Sequence, residues 1–285
     1  MRELNVELSH GRSVHVYDTG PRTDAADATC VFWHHGTPQT GQLPPPLLAL
    51  VDRAGARLVA HDRPGYATST ADPGRSVASV AADVAAVADA LQVERLAVLG
   101  VSGGGPHALA CAALLGDRVQ GAACLASPAP YDAEGLDWFE GMAPSGVAEF
   151  RAAARSRSAL VAHLRRPSPD NFDEFASADL PVFAGPYGSW LVESSTLGLA
   201  GGYEGAVEDD QAFVAPWGFD PETITSPVLL LQGGADRFVP SGHAHWLGEH
   251  CRDAQVRVTP EDGHVSIISR SEEALAWLLE RTGMA

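Results

Sequence analysis

The chain has 285 residues, 45% hydrophobic and 19% charged, enough apolar side chain to bury a full core in one large domain or two small ones. Its formal charge is −17 with no run of basic residues, which argues against a nucleic-acid partner, because neutralising phosphates needs a cationic face. All 19 basic residues are arginine, and the lack of lysine excludes Schiff-base chemistry, pyridoxal phosphate enzymes and a Walker-type phosphate loop.

The hairpin comes first: ELNVEL and SVHVYD alternate apolar and polar residues and are joined through His10-Gly11. The N-terminal MRELNVELSHGRSVHV has neither a basic n-region nor an apolar h-region, so no secretory signal is visible and a cytoplasmic protein is expected. TCVFWHH and ARLVAHD are short, continuously apolar runs, as expected of strands covered on both faces. SVASVAADVAAVADAL has helical spacing, LAVLGV is another buried strand, PHALACAALLGD is helical, and GAACLAS repeats the buried-strand pattern.

Between about Pro128 and Pro216 the rhythm breaks. No buried strand is visible there, EGMAPSGVAEFRAAARSRSALVAHLRR reads as helical, and fourteen acidic residues stand against five arginines. SPVLLLQGG then reads as a buried strand, GHAHWLGEH as a helix, AQVRVTP as a strand and SEEALAWLLERTG as a closing helix. Strand and helix alternation predicts an α/β fold, a mostly parallel sheet with helices on both faces and a helical insertion after the sixth strand. The longest apolar runs, such as Val228 to Leu231, are far short of a membrane span, so no membrane partner is expected.

The chemistry centres on GVSGGGP, Gly100 to Pro106. G-x-S-x-G between a buried strand and a helix puts Ser102 on a strained turn, its hydroxyl raised above the sheet; the flanking residues must be small because side chains would collide there. A serine nucleophile needs a base and the base an orienting acid, in the chain order Ser, Asp or Glu, His. Asp236 follows VLLLQGG and His264 follows the next strand, so both are expected on the same rim as Ser102; Asp132, just past GAACLAS, is the alternative acid. Trp33-His34-His35-Gly36-Thr37-Pro38 closes an early strand, where the Thr37 N–H could join that of Gly103 as an oxyanion hole.

These motifs resemble those of the α/β-hydrolases with a helical cap. HHGTP is similar to the family's oxyanion H-G-x-P, DRPGYATS (Asp62 to Ser69) to its D-x-x-G-x-x-x-S turn, GVSGG to its nucleophile elbow, GGADRFVP to its acid segment, and Gly263-His264 to its base. They occur in family order over about residues 30 to 270. The resemblance implies Ser102 as nucleophile, His264 as general base and Asp236 as its partner, with Thr37 and Gly103 as backbone oxyanion donors. It further implies a core of residues 1–127 and 216–285 with a cap of 128–215, and no cofactor or metal.

Other residues carry plainer readings. His35 is expected to pack beneath its turn and His107 to pack within its helix, while Asp62 and Arg63 read as an ion pair and Asp209 and Asp210 as a solvated acidic loop. His243, His245, Glu249 and His250 invite a metal reading, but residues two apart on a helix do not share a face. The four cysteines, Cys30, Cys111, Cys124 and Cys251, form no C-x-x-C pair and are expected to be reduced and mostly buried.

The leading functional expectation is a serine hydrolase acting on a small or medium, partly apolar ester, lactone or thioester through an acyl-enzyme, with a small molecule as its partner. Alternatives are an aminopeptidase of the proline-iminopeptidase type, a carbon–carbon bond hydrolase, or a cyclase or receptor on the same fold. Against the peptidase, those enzymes show H-G-G-P-G and G-G-S-W-G-S where this chain has HHGTP and GVSGGGP. A serine at the elbow excludes dehalogenases and epoxide hydrolases, which use aspartate. Oligomeric state is left open.

Overall fold

A computed structural model describes residues 1–21, 30–166 and 172–281. The expected strand start at Thr29, residues 167–171 of the expected insertion and residues 282–283 of the closing helix lie outside the described residues.

Eight strands form one sheet: β1 (Arg2–Glu7), β2 (Ser13–Asp18), β3 (Cys30–His34), β4 (Arg57–His61), β5 (Leu96–Val101), β6 (Val119–Leu125), β7 (Val228–Gly233) and β8 (Ala254–Thr259). Their spatial order is β1-β2-β4-β3-β5-β6-β7-β8. The β1–β2 hairpin and the β2–β4 pairing are antiparallel; every other pairing is parallel. The central strands are buried along their whole length because helices cover both faces. Successive residues of β5 accordingly serve opposite cores: Leu96 and Val98 join Val84, Leu109 and Leu230 on one face, whereas Ala97 and Leu99 join Leu47, Val51 and Leu278 on the other.

The first face is covered by α2 (Val80–Ala90), α3 (Gly104–Leu114) and α9 (Gly242–His250), and the second by α1 (Pro45–Ala54) and α10 (Ser271–Arg281). Glycine in the left-handed region at Gly55 ends α1 (φ 66°). Between β6 and β7 the described chain has helices and turns but no strand, the helices being α4 (Pro144–Arg155), α5 (Arg157–Leu164), α6 (Asp179–Phe183), α7 (Pro186–Leu199) and α8 (Glu204–Val214). The long run expected as one helix is two, because extended Ser156 (ψ 157°) ends α4 and its hydroxyl accepts from the Ala159 N–H to cap α5. No helix among the described residues is long and apolar enough to cross a membrane.

Candidate active site

Parallel strands deliver their carboxyl ends to one rim, and three side chains meet there. β5 runs into Ser102, which stands in the left-handed region at φ 51°, a conformation costing a non-glycine residue about 1–2 kcal/mol. The turn is paid out of its neighbours' side chains: a Cβ on Gly100 would lie 2.4 Å from the Gly104 carbonyl oxygen, and one on Gly104 would lie 2.1 Å from that of His34. The Ser102 N–H donates to the Leu125 carbonyl (2.8 Å), pinning the turn to the end of β6.

His264 sits on the loop after β8. Its Nε2 lies 3.0 Å from Ser102 Oγ and its Nδ1 lies 2.8 Å from Asp236 Oδ2. With the proton on Nδ1, the imidazole donates to Asp236 and accepts from the serine hydroxyl, the tautomer a general base needs. Asp236 follows β7, where its Oδ1 accepts from the N–H groups of Phe238 (2.8 Å) and Val239 (2.9 Å). Asp132, the alternative acid, is solvent-exposed, and no hydrogen bond joins it to His264 among the described residues.

Burial pushes the His264 imidazole towards the neutral form, but the charge of Asp236, its hydrogen bond and the more distant charge of Asp179 outweigh this and raise its pKa above the ordinary histidine value. Two of its supports escaped the sequence reading. Gln232, buried at the end of β7, donates through Nε2 to Asp236 Oδ2 (3.1 Å) and the Val239 carbonyl (2.7 Å). Asp179, buried on α6, accepts from the N–H groups of Val265 (3.0 Å) and Ser266 (2.7 Å), tethering the histidine loop to the helical insertion. The only sequence signal for Asp179 is an acid at the start of a short helix; its partners on the histidine loop lie more than eighty residues away.

The Gly36-Thr37 turn at the end of β3 faces the serine: a Cβ built on Gly103 would meet Thr37 Oγ1 at 2.5 Å. Among the described residues the N–H groups of Thr37 and Gly103 have no hydrogen-bond acceptor. A cavity of about 110 Å³ opens here, lined by Thr37, Gln39, Ser102, Leu191, His264 and Ile268 among others. A larger, more open groove of about 660 Å³ runs along the far side of Asp236, and Ser102 does not line it.

Two expectations are corrected. Asp62 and Arg63 do not pair: Asp62 accepts the Gly41 N–H (2.6 Å), and Arg63 reaches instead to a carboxylate already inside the protein. That carboxylate is Asp209, which with Asp210 is buried on α8 and is not part of a solvated loop, because α8 is covered by the sheet turns on one side and by α4 on the other. His35 does pack beneath its turn, its Nδ1 donating to the Gly36 carbonyl (2.8 Å) and its Nε2 accepting from the Arg63 N–H (3.1 Å). His107 is buried against the Phe213 ring.

Among the described residues no group of three or more His, Cys, Asp or Glu is arranged to hold a metal ion. The His243 ring is taken up by the Ala129 N–H and the Trp138 carbonyl, and His250 stacks on Trp246. All four cysteines are free and buried, as expected.

A family model described as the alpha/beta hydrolase fold matches residues 30–271. The chain is 29% identical over 242 residues to a non-heme chloroperoxidase of Streptomyces lividans, covering 84% of each. It is 27% identical over 237 residues to a bifunctional esterase/perhydrolase of Acinetobacter calcoaceticus, covering 82% of this chain and 83% of that one. The crystal structure of a bromoperoxidase from Bacillus anthracis shares its fold with a TM-score of 0.74 at 18% identity, covering 98% of this chain and 100% of that one. With the match spanning β3 to β8 and the rim that carries Ser102, Asp236 and His264, the chain belongs to the alpha/beta hydrolase fold family.

Proposed function

We propose that the protein is a serine hydrolase that cleaves a small, partly apolar ester, lactone or thioester through an acyl-enzyme. The observation that carries the reading is the continuous line of hydrogen bonds from Asp236 through His264 to Ser102, ending in a pocket of about 110 Å³. Ser102 Oγ attacks the carbonyl carbon as its proton passes to His264 Nε2, and the oxyanion is held by the N–H groups of Thr37 and Gly103. His264 then protonates the leaving group, takes a proton from a water that attacks the acyl carbon, and returns it to Ser102 Oγ as the acyl–serine bond breaks and the acid product departs. Asp236 keeps the imidazole in the working tautomer. The pocket is below the roughly 300–1,000 Å³ of sites for drug-sized ligands, which favours a short acyl group. Residues 128–215 act as a cap over the core of 1–127 and 216–285.

An aminopeptidase would use the acidic insertion to meet a substrate's free ammonium group, but no carboxylate lines the pocket among the described residues and Asp209 is paired with Arg63 and Arg75. The double activity named for the Acinetobacter calcoaceticus relative supports a second reading, in which hydrogen peroxide replaces water as acyl acceptor and releases a peracid from the same intermediate.

Treatment with a fluorophosphonate followed by digestion and mass spectrometry is expected to find one modified serine, Ser102, in protein that turns over short-chain p-nitrophenyl esters. Ser102→Ala should abolish both, with a loss of at least about 10³-fold in kcat. Turnover persisting in that variant would exclude the acyl-enzyme.

A further inference from the structure

Behind the Thr37 turn lies a buried ionic cluster that the reaction as written does not use. Asp209 of α8 sits at its centre. Its Oδ2 accepts from Thr37 Oγ1 (2.6 Å), Arg63 Nη2 (2.6 Å) and the Tyr66 hydroxyl (2.7 Å), while Oδ1 accepts from Arg63 Nε (3.1 Å) and from Arg75. Asp209, Arg63 and Tyr66 are buried to 1% exposure or less. Burial would lift the Asp209 carboxyl, but Arg63 and Arg75 hold it well below the ordinary carboxylate range, and burial depresses His107, which faces it, to about 4.

Arg63 spans the distance from this cluster to the turn. Gripped by Asp209 on one edge, its guanidinium donates on the other to the carbonyl oxygens of His35 and Gly36, the latter at 3.3 Å. The Gly36 carbonyl belongs to the same peptide group as the Thr37 N–H. It also accepts from His35 Nδ1 (2.8 Å) and the Gln39 N–H (3.0 Å). Donors on a peptide oxygen draw electron density from its nitrogen and strengthen the N–H as a donor, by roughly 10–30% per bond. A cationic donor in a dry site does this more strongly than a neutral one.

We propose that Arg63, clamped by Asp209, is a positioning residue that aims and polarises the Gly36–Thr37 peptide, so that the Thr37 N–H meets the oxyanion as a stronger hydrogen-bond donor. The inference rests on the reading of Thr37 as an oxyanion donor. It gives the cap a part in catalysis, because Asp209 belongs to the cap and its clamp reaches the core turn that holds the transition state.

Arg63→Lys keeps the charge and one contact to Asp209 but loses the planar fork that bridges carboxylate and carbonyls. Its expected effect is a fall in kcat for a short p-nitrophenyl ester of about 10- to 100-fold with KM changed less than threefold, below the roughly 10²–10³-fold loss for a deleted oxyanion donor. Affinity for a phenylboronic acid, which mimics the tetrahedral oxyanion, should fall by the same factor. The Thr37 amide proton should move upfield in ¹⁵N-correlated spectra of the unliganded variant. Asp18→Asn weakens a different buried ion pair, with Arg57 (Nε to Oδ1, 2.8 Å), at the opposite end of β4 from the turn, and is expected to lower the unfolding temperature while leaving kcat within twofold. Equal losses of kcat in the two variants at equal loss of stability would reduce Arg63 to scaffolding and overturn the proposal, as would an unmoved Thr37 resonance in Arg63→Lys. Failure of the wild type to label at Ser102 would instead overturn the reading of the site, and the Thr37 amide shift would still decide whether Arg63 polarises the peptide.

Discussion

His264 stands between opposing demands, and its titration reports which of them dominates. Burial favours the neutral ring, whereas Asp236 and the more distant Asp179 favour the protonated one and prevail. A base must be neutral to accept the Ser102 proton, so kcat/KM should rise with pH through a midpoint above the ordinary histidine value of about 6.5. Asp236→Asn removes the larger of the two charges that raise the pKa and leaves the burial, so the midpoint should move down while the rate at its plateau falls by about 10²–10⁴-fold, the imidazole having lost the partner that fixes its tautomer. A pH–rate profile of both proteins checks this. A midpoint that stays in place when Asp236 is neutralised would show that another group governs the profile. Gln232→Leu belongs to the same logic, since it strips a donor from Asp236 Oδ2 without altering any charge.

At the scale of elements, legibility followed the range of the interactions. The strand–turn–helix around Ser102 could be read from seven residues because its requirements are local: an apolar run, a positive φ and missing side chains. Asp236 and His264 could be placed because each follows a strand at the carboxyl rim of the same parallel sheet. Helix α8 could not be read in this way. Asp209 and Asp210 look like solvent-facing acids, yet the partners of Asp209, Arg63 and Arg75, are 146 and 134 residues away, and only the packed fold brings them to one helix. Asp210 points to α4, where burial, then the charge of Glu149 and then that of Asp209 raise its pKa well above the ordinary value; Glu149, hydrogen-bonded to it, is raised as well, chiefly by burial. The folded pair therefore keeps a proton that the unfolded chain releases above about pH 4, and stability should fall as pH rises from there. Asp210→Asn keeps the shape and removes the repulsion. It should raise the unfolding midpoint at pH 8 by about 2–4 °C for each kcal/mol of relief and flatten its decline between pH 5 and pH 8. A variant that melts lower at pH 8, with the slope unchanged, would contradict a shared proton at this helix contact.

For the whole molecule, the division into core and cap describes chain order better than it describes stability. Among the described residues the separate apolar cluster of the helical insertion comprises Ala153, Leu160 and Val207, with partly buried Val161, Leu164, Tyr203 and Val214 against it, too little to hold five helices together. Its larger side chains are spent on the sheet domain instead: Trp190 packs edge-on against Trp33 and donates to the Gln42 carbonyl (2.8 Å), and Phe213 joins the core beside α3. Polar anchors run the same way. Asp209 holds Arg63 and Arg75, Asp179 holds the His264 loop, Glu208 accepts the Gly74 N–H (2.6 Å), and the Ser194 hydroxyl accepts the Thr40 N–H (3.0 Å). Lifting the insertion away would leave two arginines buried without their carboxylate, and breaking a buried pair in this manner costs about 3–5 kcal/mol. Loosening the insertion would thus dismantle both the Thr37 turn and the His264 loop, so insertion and sheet should unfold together. Calorimetry is expected to give one transition with calorimetric and van 't Hoff enthalpies in agreement, near 200 kcal/mol at roughly 0.7 kcal/mol per residue. Two resolved transitions, with fluorophosphonate labelling of Ser102 surviving the first, would show that the helices melt on their own and that the rim carrying Ser102 does not depend on them.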